Sequence, residues 1–451
     1  MDSGSSRSVT RPRMLPIIGA STIGSIIEWY DFSLYGFLSA TVFAKLFFPS
    51  LDPLIGTLAA FSTSYIAFIA RPIGGAFFGW FGDRIGRKST LVATLLIMGC
   101  STVLVGFVPT AAQIGIAAPL IITILRFLQG LGVGGEWGGA VLLTLEYGDE
   151  RRRGFWASWS QASTTTGGAL AAIAVVIFQG LFPGQLFYTI GWRIPFLLSS
   201  ILIIIGLVIR SRILDTPTFM RLKEEHRVAK APLLDAIRQN WREIILSALA
   251  RFGEQVPITL FSFFILSYGV LTLGLKLNLL YAGLLASAPI NFCFAPIASS
   301  ISDRVGRKRW YLAGLVLMAA YAFPFFMLLQ TKQPGAIILA MILAVGICVP
   351  WLYGPQAALI VERFNAKFRY SGSSLGYQLG SIFAGGPAPI IATALIATYH
   401  TSVALSLYII VAAAISFFAT LGLKDYTHRS AVGDDKEPVY PSVYEKSGVS
   451  S

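Results

Sequence analysis

The chain is poor in charge. Asp, Glu, Lys and Arg make up 13% of its 451 residues, about half the share in a soluble protein. A soluble chain of this length would need more polar residues to cover its surface, so an ordinary globule is excluded. Cysteine is scarce as well. Cys100, Cys293 and Cys348 each stand alone in apolar segments, with no disulfide or metal-ligand spacing. The three histidines, His226, His400 and His428, are scattered and assemble neither a metal site nor a triad. No Walker-type nucleotide loop is present. These absences point away from an enzyme, and no cofactor or metal is expected.

Hydrophobic residues, by contrast, reach 55% and come in long blocks such as 91–108, 114–125 and 194–209. Blocks near 20 residues match the roughly 30 Å hydrocarbon core of a bilayer. Twelve spans are predicted, at 16–43, 54–81, 89–109, 115–145, 155–180, 193–211, 241–271, 277–301, 310–330, 335–361, 371–398 and 401–423. Arg7, Arg11 and Arg13 before the first block resemble a secretion signal, but that block contains Glu28 and Asp31 and is read as a retained span. The predicted organisation is an N-terminal tail at 1–15, a six-helix half at 16–211, a charged linker at 212–240, a second six-helix half at 241–423 and a disordered tail at 424–451. The linker is expected to form a surface helix.

Formal net charge is +13, which in a soluble chain would suggest nucleic acid. Position decides otherwise. If both termini are cytoplasmic, 28 of the 35 Lys and Arg fall in inside segments and only Lys45, Lys276 and Lys332 fall outside. That asymmetry is the positive-inside pattern. It accounts for the basic balance without nucleic acid and predicts a multi-pass protein of the cell membrane with both ends cytoplasmic.

A repeat divides the chain. Asp83-Arg84-Ile85-Gly86-Arg87-Lys88 recurs as Asp303-Arg304-Val305-Gly306-Arg307-Lys308, 220 residues later, and Arg153-Gly154 has a looser echo in Ser371-Gly372. Parallel repeats of this kind place a site between two halves related by an axis along the membrane normal. Gly82 and Gly86 permit a tight turn, and Asp83 is suited to capping a helix start or accepting from an arginine.

The stretch from Gly79 to Leu91 resembles the loop 2–3 signature of the major facilitator superfamily; its second copy departs in starting with Ser299. Glu28-Trp29-Tyr30-Asp31-Phe32, Arg126-Phe127-Leu128-Gln129-Gly130, Gly134-Gly135-Glu136-Trp137, Gly191-Trp192-Arg193-Ile194-Pro195-Phe196, Arg369-Tyr370-Ser371-Gly372 and Leu375-Gly376-Tyr377-Gln378 resemble its metabolite:proton symporters, which include shikimate, α-ketoglutarate, citrate and proline/betaine carriers. The likeness covers residues 16–423. It implies an all-α membrane protein of twelve transmembrane helices in two pseudo-symmetric halves. It also implies a gating network of Gly79, Asp83, Arg84, Gly86, Arg87 and Glu146, with Asp303, Arg304, Arg307 and Arg369 in the second half.

Seven ionisable residues fall inside spans: Glu28, Asp31, Arg71, Arg126, Glu136, Arg251 and Glu254. Each would cost roughly 2.5–3.5 kcal/mol facing lipid, so they should face a cavity or one another. Glu28 and Asp31 are three positions apart, about 60° around one helix with ~4.5 Å of rise. Two carboxylates that close do not both hold charge easily out of water, which makes the pair a place for a proton. Arg126 would favour the ionised form of a nearby acid. Related proton-coupled sugar carriers have an Asp and an Arg at what look like the positions of Asp31 and Arg126. Asp31 is therefore the expected proton carrier, Arg126 its partner and Glu28 a modulator. The repeat offset carries Asp31 to Arg251, which predicts Arg251 across the site as a fork for a carboxylate, with Glu254 beside it. Arg71 is expected to assist or to stabilise a kink. Trp29, Tyr30, Gln129, Glu136, Gln161, Tyr353, Gln356, Tyr377 and Gln378 complete the candidate pocket.

Gly130-x-Gly132-x-x-Gly135 matches a dinucleotide fingerprint, but without a preceding strand it reads as close helix packing. Pro387 and Pro389 are expected to bend span eleven. The leading reading is a monomeric proton-coupled symporter that imports a small organic acid by alternating access. A zwitterion or osmolyte symporter is the alternative, and a non-transporting sensor would need a folded tail domain.

Overall fold

The computed structural model describes residues 14–211, 232–364 and 369–427; the side chains of Arg87 and Glu146 are outside that description. Among the described residues the chain is helical throughout, with no strand. Twelve long helices follow in order. The first half consists of α1 (Met14–Leu38), α2 (Pro53–Arg84), α3 (Arg87–Phe107), α4 (Ala117–Tyr147), α5 (Arg153–Leu181) and α6 (Arg193–Ser211). The second half starts with α7, which runs through Pro232–Ala250 and Phe252–Thr259 to Ile265–Leu271. It continues with α8 (Leu277–Val305), α9 (Arg307–Gln330), α10 (Pro334–Met341 and Val349–Val361), α11 (Arg369–Gly380 and Ala388–Tyr399) and α12 (Ser402–Gly422). Ten of the twelve are long and apolar enough to cross a membrane. The other two, α1 and α2, carry Glu28, Asp31 and Arg71 in their middles.

The repeat extends to backbone geometry. A π-helical turn at Ser39–Phe43 ends α1, and another at Leu260–Phe264 interrupts α7, at nearly the spacing of the loop repeat. Two more π turns, Ile342–Cys348 and Ser381–Gly385, lie within α10 and α11. Beyond the last of these, Pro387 stands at the break before Ala388, where the sequence placed a bend.

Helix packing is set by glycine. A Cβ on Gly130 would lie 2.2 Å from the Ala67 carbonyl oxygen, one on Gly134 2.0 Å from that of Arg71, and one on Gly74 2.0 Å from that of Leu131. Small residues here let the α2 and α4 backbones touch, the close packing read from the glycine motif. Between the halves, α2 packs on α11 while α5 packs on α8 and α10.

Two boundaries differ from the sequence reading. Helix α7 begins at Pro232, inside the stretch assigned to the linker, and kinks at Asn240 (φ −131°). Proline opening the helix and Asp235 in its first turn are a sound N-terminal pattern. The start of the tail, Lys424–Thr427, is docked rather than free. Thr427 Oγ1 accepts from the Arg307 N–H (2.9 Å) and Asp425 Oδ2 from the Lys308 N–H (3.3 Å), covering the first turn of α9. Residues 1–13, 212–231 and 428–451, which hold the rest of the predicted tails and linker, lie outside the described residues.

Candidate functional site

Between the halves lies a cavity lined by α1, α2 and α5 on one side and α7, α8 and α10 on the other. Its walls are largely aromatic: Trp29, Phe32, Phe37, Phe68, Phe263 and Tyr353. Ser33, Thr164, Thr165, Thr259 and Ser262 add hydroxyls, and Glu254 brings a carboxylate. On the side away from the start of α1 and the end of α12, Phe37 closes against Phe263 (ring centroids 5.4 Å apart) and Tyr281 (5.7 Å).

Behind the aromatic wall sit two buried arginines. The Arg71 guanidinium lies 4.3 Å from the Phe32 ring and 4.5 Å from Phe68, and its Nε and Nη2 have no hydrogen-bond partner. Arg126 lies over Tyr35 (3.8 Å) and Phe32 (5.0 Å); its Nη1 donates to Gln129 Oε1 (2.7 Å) while Nε and Nη2 have no partner. Ring faces stabilise such cations only modestly. That leaves four N–H-bearing nitrogens without acceptors.

On the face where α1 begins and α12 ends, the two repeat copies form a crossed latch. Asp83 Oδ2, at the end of α2, accepts from the Ser371 N–H (2.9 Å) and hydroxyl (2.7 Å) in the first turn of α11. Asp303, at the end of α8, accepts from the N–H groups of Gly154 and Phe155 (both 3.0 Å) at the start of α5. Each half thus places a carboxylate on a helix N-terminus of the other, where orphan N–H groups and the helix dipole favour negative charge. Arg307 joins Asp303 (2.7 Å) to Glu362 (2.6 Å), and Arg153 reaches Glu362 at 3.8 Å. Tyr370 wedges against Gly82, Gly138 and Gly139 and donates to the Gly135 carbonyl.

The sequence matches the Major Facilitator Superfamily over residues 21–389. The chain belongs to that superfamily. It is 35% identical over 410 residues to the shikimate transporter of Escherichia coli K12, covering 90% of this chain and 93% of that one. It is 31% identical over 427 residues to the proline/betaine transporter of Salmonella typhimurium LT2, covering 92% and 84%. Among solved structures, the proton:xylose symporter XylE with bound 6-bromo-6-deoxy-D-glucose superposes with a TM-score of 0.73 over 92% of this chain and 96% of that one, at 18% identity. That likeness concerns the fold. The major facilitator protein described here is a multi-pass membrane transporter, not an enzyme, and it resembles the metabolite:proton symporters over nearly its whole length.

Several polar residues expected in the transporter's pocket are engaged elsewhere. Glu136 is ion-paired with Arg210 of α6, whose Nη1 also donates to the Leu91 carbonyl (2.7 Å). The pair joins α4 to α6 and gives Glu136 a packing role. Tyr30 donates to the Pro195 carbonyl (3.1 Å), away from the cavity. Arg251 is filled by its own half. It donates to Gln356 Oε1 (3.4 Å), the Tyr377 carbonyl, Ser381 Oγ (2.8 Å) and Gln255 Oε1, stacks on Tyr377 and approaches Glu254 at 3.7 Å. A fork so occupied has little left for a substrate carboxylate. Gln356 donates to Tyr311 Oη (2.8 Å) and to Glu254 Oε2 (3.4 Å).

Others join the halves. Gln161 accepts from Trp137 Nε1 (3.0 Å) and donates to the Tyr353 carbonyl (3.2 Å), and Gln378 donates to the Gly134 carbonyl (3.3 Å). Trp137 stacks on Tyr377, centroids 3.6 Å apart, and the Tyr377 and Tyr353 hydroxyls meet at 2.9 Å. Trp29, Tyr353 and Glu254 do line the cavity.

Asp31 is buried, but among the described residues no ion pair joins it to Arg126. Ser199 Oγ donates to its Oδ1 at 2.7 Å, and Oδ2 has no hydrogen-bond partner. Glu28 is buried one turn away, within electrostatic reach of Glu136, Arg71 and Arg210. In the latch, Gly79 lies close against the Ser371 backbone and Gly86 takes φ 127° at the turn, as the motif requires. Arg369 is buried and donates to the Phe364 carbonyl (3.0 Å). Arg84 and Arg304 instead are exposed, Arg84 beside the Trp80 ring (5.0 Å). Ser199, Thr102 and Phe263 escaped the sequence reading, because single hydroxyls and rings in apolar helices carry no spacing signal.

Proposed function

We propose that the chain is a proton-coupled symporter that carries a small organic acid into the cell by alternating access, working as a monomer in the cell membrane. The face where α1 begins and α12 ends is read as cytoplasmic, in keeping with the distribution of Lys and Arg. The observation that carries the substrate class is the pair Arg71 and Arg126. Both are buried, with unpartnered guanidinium nitrogens, behind rings that line the central cavity. A carboxylate entering from the cavity satisfies those donors, and charge-assisted bonds of this kind are worth about 1.5–3 kcal/mol each. Small displacement of Phe32 and Phe68 opens the path.

Asp31 is the proposed proton carrier, with Glu28 sharing the role. The two bundles, 16–211 and 241–423, rock about the cavity. The latch of Asp83, Asp303, Arg307 and Arg369 holds the cytoplasmic side shut, while Phe37, Phe263 and Tyr281 close the outer side.

One observation favours a second reading. Glu254 puts a carboxylate on the cavity wall beside aromatic rings, a surrounding suited to an ammonium group. A zwitterion could then bridge Glu254 and the arginines, in keeping with the proline/betaine relative. The test is uptake into proteoliposomes with the outside made acidic, across shikimate, 2-oxoglutarate, citrate, acetate, proline and glycine betaine. Gradient-driven uptake of at least one acid is expected. Uptake of the zwitterions alone overturns the substrate class.

A further inference from the structure

The chemistry of the proposed symporter needs the arginine that meets the substrate to influence the acid that holds the proton. Arg126 and Asp31 are not paired, yet a file of buried side chains connects their surroundings. Arg126 Nη1 donates to Gln129 Oε1 (2.7 Å) and Gln129 Nε2 donates to Thr102 Oγ1 (2.5 Å). Thr102 faces the Asp31 carboxylate and donates at present to the Met98 carbonyl (3.1 Å). Gln129 and Thr102 come from α4 and α3, and both are buried.

Orientation in this file is fixed by chemistry. Arginine can only donate, so Gln129 must turn its oxygen to Arg126 and its amide N–H groups to Thr102. The Thr102 oxygen is then accepting, and its own proton is free to go to Met98 or to Asp31. We propose that Gln129 and Thr102 are the coupling residues of this transporter, passing the state of Arg126 to Asp31 through a reorientable amide and hydroxyl.

When a substrate anion engages Nε and Nη2 and draws the guanidinium toward the cavity, Nη1 leaves Gln129 and the amide is released from its fixed orientation. Its oxygen can then turn to Thr102 and accept the hydroxyl proton. Asp31 loses a donor that would have supported its ionised form, and it also loses the unscreened charge of Arg126. Both changes favour binding of a proton at Oδ2, the oxygen without a partner. Substrate and proton thereby promote each other's binding, as cotransport in one direction requires, and the linkage is reciprocal. The other groups around Asp31 are Ser199 from α6, Glu136 from α4, and Tyr30 and Glu28 on its own helix. Ser199 serves Oδ1, and Glu136 is held by Arg210. Neither touches the guanidinium that the substrate would take.

The inference rests on reading Asp31 as the proton carrier. The experiment therefore runs Asp31→Asn beside Thr102→Val, Thr102→Ser and Gln129→Leu in full-length protein in proteoliposomes, with radiolabelled shikimate and radiolabelled proline as parallel probes. The readouts are the accumulation ratio under an acid-outside gradient and the pH dependence of half-saturation in exchange. Thr102→Val and Gln129→Leu should lower accumulation about tenfold and flatten the pH dependence. Thr102→Ser, which keeps the hydroxyl, should behave as the parent.

Wild-type accumulation by Thr102→Val, or loss in Thr102→Ser equal to that in Thr102→Val, overturns the relay. So does a Thr102→Val protein that neither accumulates nor exchanges while Gln129→Leu accumulates normally. Full accumulation by Asp31→Asn removes the underlying reading instead, as does a parent protein that accumulates none of the acids and zwitterions of the uptake panel.

Discussion

Asp303 and Gly154 are 149 positions apart, and the carboxylate of the first accepts the backbone N–H of the second at 3.0 Å across the two halves. The same arrangement recurs between Asp83 and Ser371, 288 positions apart, at 2.9 Å. The two contacts exchange roles between halves, so an acid repeated in sequence becomes a mutual grip in space.

Neutralising either acid should loosen that grip. A carboxylate at a partly buried helix N-terminus contributes up to about 2 kcal/mol. Asp83→Asn and Asp303→Asn should each shift the balance toward the state open on the latch face by about tenfold. A cysteine placed at Ser374, in a background without Cys100 and Cys293, reports this by its rate of reaction with a membrane-impermeant thiol reagent. Equal rates in parent and variants would sink the latch.

The Glu136–Arg210 pair should matter for stability more than for transport. Removing one partner of a buried pair leaves an uncompensated charge, at about 3–5 kcal/mol. Arg210→Met is expected to lower the thermal unfolding temperature markedly, and Glu136→Gln with Arg210→Met should recover most of it. A double variant no better than the single one contradicts this account.

Arg71 and Arg126 are predicted to act on substrate affinity. Arg71→Met should raise KM for a carried carboxylate about tenfold or more, the loss of one or two charge-assisted bonds. Glu254→Gln should leave that KM within about twofold if the substrate is a simple acid. The reverse pattern, Glu254 decisive and Arg71 silent, belongs to a zwitterion. Initial-rate uptake in proteoliposomes separates the two.

Glycine packing between α2 and α4 can be checked without a substrate. Gly134→Ala puts a methyl 2.0 Å from the Arg71 carbonyl oxygen, whereas a Cβ on Gly180 meets nothing within 4 Å. Overpacking costs about 1–3 kcal/mol. Gly134→Ala should lower the unfolding temperature in detergent by several degrees, and Gly180→Ala should leave it within about a degree. Equal behaviour of the two variants would mean the helices can separate at little cost.

Much of the architecture was legible because membrane insertion and the internal repeat both leave periodic marks. Apolar blocks located the helices, and the paired Asp83 and Asp303 motifs pointed to the latch. The pocket was less legible. Charges in apolar helices announce that they need partners, but the partner depends on helix rotation and on neighbours far along the chain. Glu136 found Arg210, 74 positions away. Arg251 turned to Tyr377, Ser381 and Gln255, although the repeat offset suggested it would oppose Asp31. Asp31 took Ser199, one hydroxyl among many. An offset equates positions along two helices and says nothing of which neighbour offers the nearer acceptor.

The two ends of the cavity are closed by different physics. On one face carboxylates hold helix termini, while on the other Phe37 rests on Phe263 and Tyr281. Cooling weakens the second kind of contact where opening would wet the rings, while salt screens the buried carboxylates of the first only little. Temperature is therefore a handle on one end of the cavity that leaves the other nearly untouched, and low temperature should favour opening on the aromatic face without altering a residue.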